Sequence, residues 1–241
     1  MKRAFAVLLT MIILFGLIGC GAGSKPTETN APSSAAAGET EAAEVLPAAD
    51  PQADPSDGNA PVEESSGNTL VVYFSRTGEQ YNVGVIDKGN TAVVAEMIGD
   101  QLGADVWEIL PADDHYPMTY QALTDVAKQE QNEKARPAYA GQTPELSRYD
   151  TIFIGAPVWW GDWPMILYTF FENNADELSG RTLLPFSTHE GSGLSGFDRK
   201  LSSACPDSTV GEGLAIRGSD AQNRPDAVRQ AVNEWLEKLG Y

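Results

Sequence analysis

Thr69-Leu70-Val71-Val72-Tyr73-Phe74 runs directly into Ser75-Arg76-Thr77-Gly78. The first six residues are apolar almost throughout, the pattern of a central parallel strand covered on both faces. Beyond them, Thr91 to Leu102 places Val93, Val94, Met97, Ile98 and Leu102 at helical spacing. Hydroxyls and small residues between a strand and a helix suit phosphate binding, because backbone N–H groups, hydroxyls and the helix N-terminus can surround its oxygens. The tetrapeptide lacks the Gly-Lys-Ser/Thr ending of a Walker loop and is not Gly-x-Gly-x-x-Gly. Taken alone it reads by default as a plain turn.

Strand and helix patterns alternate from there to the C-terminus. Ala104 to Leu110 predicts a second strand, Tyr120 to Ala135 a polar helix, and Thr151-Ile152-Phe153-Ile154 a third strand. Pro164 to Glu172 opens on a proline, which suits a first helical turn. Thr182 to Phe186 predicts a fourth strand, Gly196 to Ala204 a helix, and Gly213 to Arg217 a fifth strand. Arg224 to Leu239 carries Val228, Ala231, Val232, Trp235, Leu236 and Leu239 on one helical face. Five strands alternating with helices predict an α/β fold with a doubly wound five-stranded parallel sheet. Residues 68–241 are enough for one core and too few for two lobes.

Before Asn68 the composition changes. Gly21 to Gly67 is rich in Ala, Pro, Ser, Thr, Glu and Asp, with Lys25 its only base. Such a stretch cannot bury enough apolar surface to offset chain entropy. Residues 20–67 are therefore expected to be a disordered acidic linker, with a reach of roughly 40 Å as a flexible coil. Ahead of it, Lys2 and Arg3 precede an apolar run that ends in Leu17-Ile18-Gly19-Cys20. This is the layout of a secretory signal peptide over residues 1–19. The ending resembles a bacterial lipobox, which implies lipidation of Cys20 and an extracytoplasmic domain anchored to the cell membrane. The run is short for a span of ~20 residues, which disfavours an uncleaved anchor. With Cys20 lipidated, Cys205 has no partner for a disulfide and is expected to be a buried structural thiol. The formal net charge of −18 argues against a nucleic-acid partner, because phosphate contacts need clustered Lys and Arg.

In doubly wound sheets, ligands bind at the carboxyl ends of the strands. The loop after the third strand is Ala156-Pro157-Val158-Trp159-Trp160-Gly161-Asp162-Trp163-Pro164. Trp rings can stack on a flat aromatic cofactor and exclude water from it. Trp163 is expected to pack in the core, Trp159 and Trp160 less so. The loop after the fourth strand is Ser187-Thr188-His189-Glu190-Gly191-Ser192-Gly193-Leu194, whose glycines allow a backbone to approach a ligand closely. His189 has no carboxylate or Cys at metal spacing, so no metal is expected. Ser192 lacks a full Gly-x-Ser-x-Gly elbow, since position 189 is His, which argues against a hydrolase nucleophile.

Together the three loops resemble those of the flavodoxin family, in particular a bacterial branch with a Pro-x-Trp-Trp-Gly loop. The resemblance covers Asn68 to Tyr241. It implies the flavodoxin-like strand order 2-1-3-4-5 and FMN as cofactor. In that family a Ser/Thr-x-Thr-Gly-Asn-Thr loop binds the FMN phosphate with neutral donors, and the other two loops flank the isoalloxazine ring. The resemblance assigns Ser75, Thr77 and Gly78 to the phosphate. The chain then departs from the pattern: Glu79 to Lys88 intervenes before Gly89-Asn90-Thr91, where the motif resumes. The phosphate site is thus expected to be split, with Asn90 and Thr91 completing it. Tyr81, within the insertion, has two readings: a cover over the ligand, or packing under the insertion. Pro157, Val158, Trp159, Trp160 and Gly161 are expected along the flavin, and Thr188, His189, Gly191, Ser192 and Gly193 at its other edge. Glu190 stands where the family more usually has a small residue; pointing inward, its carboxylate would disfavour a reduced anionic flavin.

The resemblance implies an electron-transfer flavoprotein serving a redox partner protein or a small acceptor. An FMN-dependent reductase of quinones or similar acceptors is the nearest alternative. A lipoprotein that binds solutes without redox chemistry is a third, and it typically needs two lobes.

Overall fold

The computed structural model describes residues 68–241. The expectations for residues 1–67, including the signal peptide, the linker and Cys20, lie outside the described residues. No helix among those described is long and apolar enough to cross a membrane.

The core is a parallel sheet of β1 (Thr69–Tyr73), β4 (Asp105–Glu108), β5 (Thr151–Pro157), β6 (Thr182–His189), β7 (Thr209–Val210) and β8 (Leu214–Arg217). Its order is β4-β1-β5-β6-β7, with β8 also paired to β6. Taking β7 and β8 as one interrupted fifth strand, this is the order 2-1-3-4-5.

The interruption has a cause in β6. Thr182 and Leu183 pair with Thr209 and Val210, whereas Phe186 to His189 pair with Leu214 to Arg217. The fifth strand therefore carries one more residue than β6 across the gap, a bulge. The Gly211 N–H donates to the Leu183 carbonyl, so Leu183 turns its backbone groups toward that edge. Pro185, two residues on, faces the same way and has no N–H to give. The ladder breaks there and resumes beyond it.

Alternation along β1 builds both faces of the core. Leu70, Val72 and Phe74 join one cluster with Ile166, Phe170 and Phe171 of α3 (Met165–Asn173). Val71 and Tyr73 join the other with Val94 and Ile98 of α1 (Asn90–Leu102) and Val232 and Trp235 of α7 (Pro225–Leu239). Both faces of the strand are buried, as its apolar run predicts. The first face is completed by α2 (Tyr120–Glu133), α4 (Ala175–Leu178) and α5 (Phe197–Ala204), the second by α6 (Gly218–Asn223). Cys205 is a free, buried thiol whose pKa burial pushes up to about 11, so it packs as a small apolar group.

The insertion after the first loop is ordered. β2 (Gly78–Gln80) and β3 (Gly84–Ile86) pair antiparallel into a hairpin off the main sheet. The Glu79 N–H donates to the Met118 carbonyl, and the Glu79 carboxylate accepts the Tyr120 N–H at 2.9 Å, capping the start of α2.

Candidate functional site

The carboxyl ends of β1, β5 and β6 converge with the N-termini of α1 and α2. Phe74 N–H donates to the Gly155 carbonyl and Val158 N–H to the Thr188 carbonyl, which draws the three strand-end loops together. Between them opens a cavity of about 360 Å³, within the range of small-molecule sites.

The start of α1 forms one wall. Gly89 is its N-cap and offers no side-chain cap. Instead Ser75, from the loop after β1, accepts the Ala92 N–H on its Oγ at 3.1 Å. The close approach explains the glycine: a Cβ on Gly89 would overlap Ser75 Oγ and lie 2.6 Å from the Arg76 carbonyl oxygen. The first-turn amides of Asn90 and Thr91 have no intrahelical acceptor. The insertion thus leaves both halves of the split motif in contact. The hydroxyls of Thr91 and Thr188, both buried, lie 2.7 Å apart and tie α1 to the end of β6.

The split persists in another way. Asn90 lines the large cavity, while Ser75, Thr77 and Gly89 line a separate one of about 210 Å³. Gly78 lines neither. It opens the hairpin with φ +86°, and a Cβ there would stand 2.6 Å from the Met118 carbonyl. Arg76 also lines the smaller cavity, with its guanidinium engaged: it pairs with Asp114 at 2.8 Å and donates to the Tyr116 carbonyl at 3.0 Å.

The tryptophans divide three ways. Trp163 is fully buried and stacks on Phe197 at 3.6 Å. Trp159 lines the cavity but is half core, edge-on to Phe74 at 5.4 Å and Tyr116 at 5.2 Å. Behind it, the Tyr116 hydroxyl donates to Glu130, and burial beside that carboxylate holds the phenol protonated. Trp160 and Gly161 form the centre of a tight turn closed by paired Trp159–Asp162 backbone bonds at 3.0 Å. Both have positive φ, 51° and 73°, as a type I′ turn requires. A bulky residue there is strained, and such strain persists only where the surroundings over-determine it. Here the Trp160 indole N–H donates to the Thr124 carbonyl at 2.8 Å, and Lys128 Nζ lies over the ring at 5.1 Å. Gly161 itself is not on the cavity lining.

The end of β6, which extends through the Ser187 to His189 read from sequence as loop, and the loop after it supply the opposite side. Thr188, His189, Gly191 and Ser192 line the cavity; Gly193 does not, its carbonyl accepting from Ser187 Oγ instead. His189 Nδ1 accepts the Gly191 N–H at 2.9 Å, which places the ring proton on Nε2. Burial, with Arg217 nearby, lowers its pKa and keeps the ring neutral. Glu190 also lines the cavity, but its carboxylate is engaged: Ser219 N–H donates at 2.6 Å and Ser219 Oγ at 3.1 Å. It caps the start of α6 rather than standing free toward a ligand.

Several lining residues were beyond the sequence reading: Gln80 from the hairpin, Tyr120, Leu123, Thr124 and Ala127 from α2, and Gly218; Tyr81, which had two readings, is on the lining. The position of α2 beside the strand ends carried no local signal, whereas Tyr81 within the insertion did.

The donor set can be tested against the cofactor that the loops imply. Uncapped amides at Asn90 and Thr91, with a glycine where a side chain would intrude, fit a phosphate. A mainly apolar cavity with a tryptophan wall and a backbone-rich opposite wall fits a flat heteroaromatic ring. None of the described residues lining the large cavity is Lys or Arg.

Parallel sheet order, strand-end cavity and helix-terminal amides together define a flavodoxin-like α/β protein. The chain belongs to the flavodoxin family, whose model matches residues 68–239. It is similar to the crystal structure of a candidate flavoprotein from Bacteroides eggerthii, with 29% identity and a TM-score of 0.56 over 72% of this chain and 98% of that one. A second, from Bacteroides uniformis, shows 28% identity and a TM-score of 0.55 over 71% and 98%. A flavoprotein from Lactobacillus acidophilus, solved in complex with FMN, shares the fold at 19% identity and a TM-score of 0.51, over 65% of this chain and 96% of that one. No curated protein matches the chain.

Proposed function

We propose that this chain is an FMN-binding electron-transfer flavoprotein, held by lipid on Cys20 at the outer face of a bacterial membrane. The observation that carries the cofactor reading is the start of α1: free first-turn amides, closed over by the Ser75 loop, beside a tryptophan-walled cavity. When bound, FMN supplies the one- or two-electron redox chemistry, and the protein supplies orientation and electrostatics. Asn90 and Thr91 would hold the phosphate through their N–H groups, with Thr77 and the Ser75 hydroxyl beside them. Gly78 shapes the turn into the hairpin. Pro157, Val158, Trp159 and Trp160 would lie along the ring, Gly161 setting their turn. Thr188, His189, Gly191 and Ser192 would face its polar edge, Gly193 fixing the loop behind them. Neutral His189 offers an Nε2–H to that edge. The Cys20 anchor rests on the lipobox-like Leu17 to Cys20 alone.

Titrating the purified chain with FMN tests the cofactor reading. Saturable, one-to-one quenching of flavin fluorescence is the expected result; unquenched flavin at micromolar protein rejects it. Metabolic labelling with a palmitate analogue tests the anchor: label is expected on the chain and lost in Cys20→Ser, and an unlabelled wild-type chain rejects it.

A further inference from the structure

The two loops that flank the cavity are joined twice. At their root the ladder pairs Pro157 with Thr188, and the Val158 N–H donates to the Thr188 carbonyl at 2.9 Å. The ladder ends there. One chain enters the Trp159–Asp162 turn, and the other runs through Gly191 and Ser192 to the start of α5.

Lys200, on α5, rejoins them. Its ammonium donates to the Gly161 carbonyl of the tryptophan turn and to the Ser195 carbonyl of the other loop at 3.1 Å. It also pairs with the Asp162 carboxylate at 3.3 Å. An ammonium has three donors, so all are spent on the two loops. Each loop carries that bond on to the cavity. Gly161 and Asp162 belong to the turn that presents Trp159 and Trp160, both on the lining. Ser195 Oγ donates to the Ser192 carbonyl at 3.3 Å, and Ser192 lines the opposite side. Lys200 itself does not line the cavity.

The backbone is strained at both attachment points. Trp160, beside Gly161, has φ 51° and Ser195 has φ 52°, two of the four non-glycine residues with positive φ among those described. Such strain persists only where neighbouring contacts over-determine it. Lys200 supplies one such contact to each turn. Its carboxylate partner is itself fixed: the same Asp162 oxygen accepts the Trp163 N–H at 2.8 Å and the Tyr168 hydroxyl at 2.9 Å. Trp163, stacked on Phe197, joins the same two segments through the core.

We propose that Lys200 is a positioning residue that sets the spacing of the two loops around the flavin ring. The proposal rests on the flavin reading of the cavity. A slot held at root and tip is ordered before the ring enters, so binding does not bear that ordering cost. The clamp acts on the ring and not on the phosphate, which the reading places at the start of α1. Its loss therefore weakens flavins with and without a phosphate alike.

The test compares the wild type with Lys200→Met by calorimetric titration with FMN and with riboflavin. Lys200→Met keeps most of the side-chain length and removes its donors. Both affinities are expected to fall together by roughly tenfold, the order of one charge-assisted hydrogen bond. The FMN-to-riboflavin ratio is expected to stay the same, and the visible circular dichroism of the bound flavin to change. Unchanged affinities, unchanged dichroism or a loss confined to FMN overturns the proposal. The same outcomes are read on Lys200→Gln if Lys200→Met does not fold. In the wild type, NMR of the lysine ammonium groups is expected to show a Lys200 signal protected from solvent exchange, with or without FMN; a freely exchanging Lys200 overturns the proposal. Failure of the wild type to bind either flavin sinks the cofactor reading, and the ammonium signal, read without flavin, tells that failure from the absence of the clamp.

Discussion

At the residue scale, Gly89 and the two histidines carry the most. Gly89 is required for space rather than for conformation: its φ is −65°, open to any residue, yet a Cβ would strike Ser75 Oγ and the Arg76 backbone. Gly89→Ala must push the β1 loop off the helix start. A loss of roughly 1–3 kcal/mol is expected, as for overpacking, and is readable by urea denaturation. It should come with at least tenfold weaker FMN binding. His115 and His189 titrate in opposite directions. The bond from Glu130 raises the His115 pKa above its ordinary 6.5, whereas burial lowers that of His189. By linkage, His115 contributes stability that is full below pH 6.5 and lost as pH rises through its folded value. His189 does the reverse: the unfolded chain takes up the proton first, so stability falls as pH drops below 6.5. NMR titration of the imidazole signals is expected to give midpoints on either side of 6.5. Coincident midpoints would contradict the environments described.

At the scale of elements, the hairpin and α2 behave as one unit because Glu79 caps the helix. Thr119, the N-cap residue, makes no side-chain cap bond. Glu79→Ala is therefore expected to lower stability by about 1 kcal/mol, as for loss of a cap. Proteolysis should then begin within 78–86; an unchanged cleavage pattern would contradict the coupling. This hairpin was not legible in sequence, because β2 and β3 are too short for any periodicity to register. The main strands were legible for the opposite reason: Thr69 to Tyr73 and Leu183 to Phe186 are apolar runs with both faces buried, whereas Ser187 to His189, read as loop, continue the strand. The fifth strand was half legible. Gly213 to Arg217 read as a strand, but its Thr209–Val210 half and the bulge between follow from Pro185 on the neighbouring strand, a non-local cause. The tryptophan loop was legible as a wall at the strand ends, and Trp163 as core. Trp159 being half core depends on Tyr116, from a segment with no pattern of its own. Arg76 likewise finds Asp114 only in three dimensions.

At the scale of the molecule, acidity and anion binding must coexist. The chain carries a formal charge of −18, and no Lys or Arg is among the described residues lining the large cavity. Helix-terminal amides resolve the conflict by offering partial positive charge at short range. The cations nearest the phosphate loop, Arg76 and Lys88 on the smaller cavity, are paired with Asp114 and Glu96, so added salt should compete little with the phosphate. FMN affinity is expected to change less than threefold between 50 and 500 mM NaCl, because screening weakens both the repulsion by the acidic surface and the attraction of the helix terminus. A steep loss with salt would point to Lys88, which pairs with Glu96 beside the smaller cavity, as the true phosphate ligand. The central claim is that the start of α1 holds a flavin phosphate. Calorimetric titration with FMN and with riboflavin, which differ only in that phosphate, tests it most directly. The account predicts one-to-one FMN binding at least tenfold tighter than riboflavin, with the difference abolished in Gly89→Ala. Equal affinities for the two flavins, or a difference that survives Gly89→Ala, would contradict it.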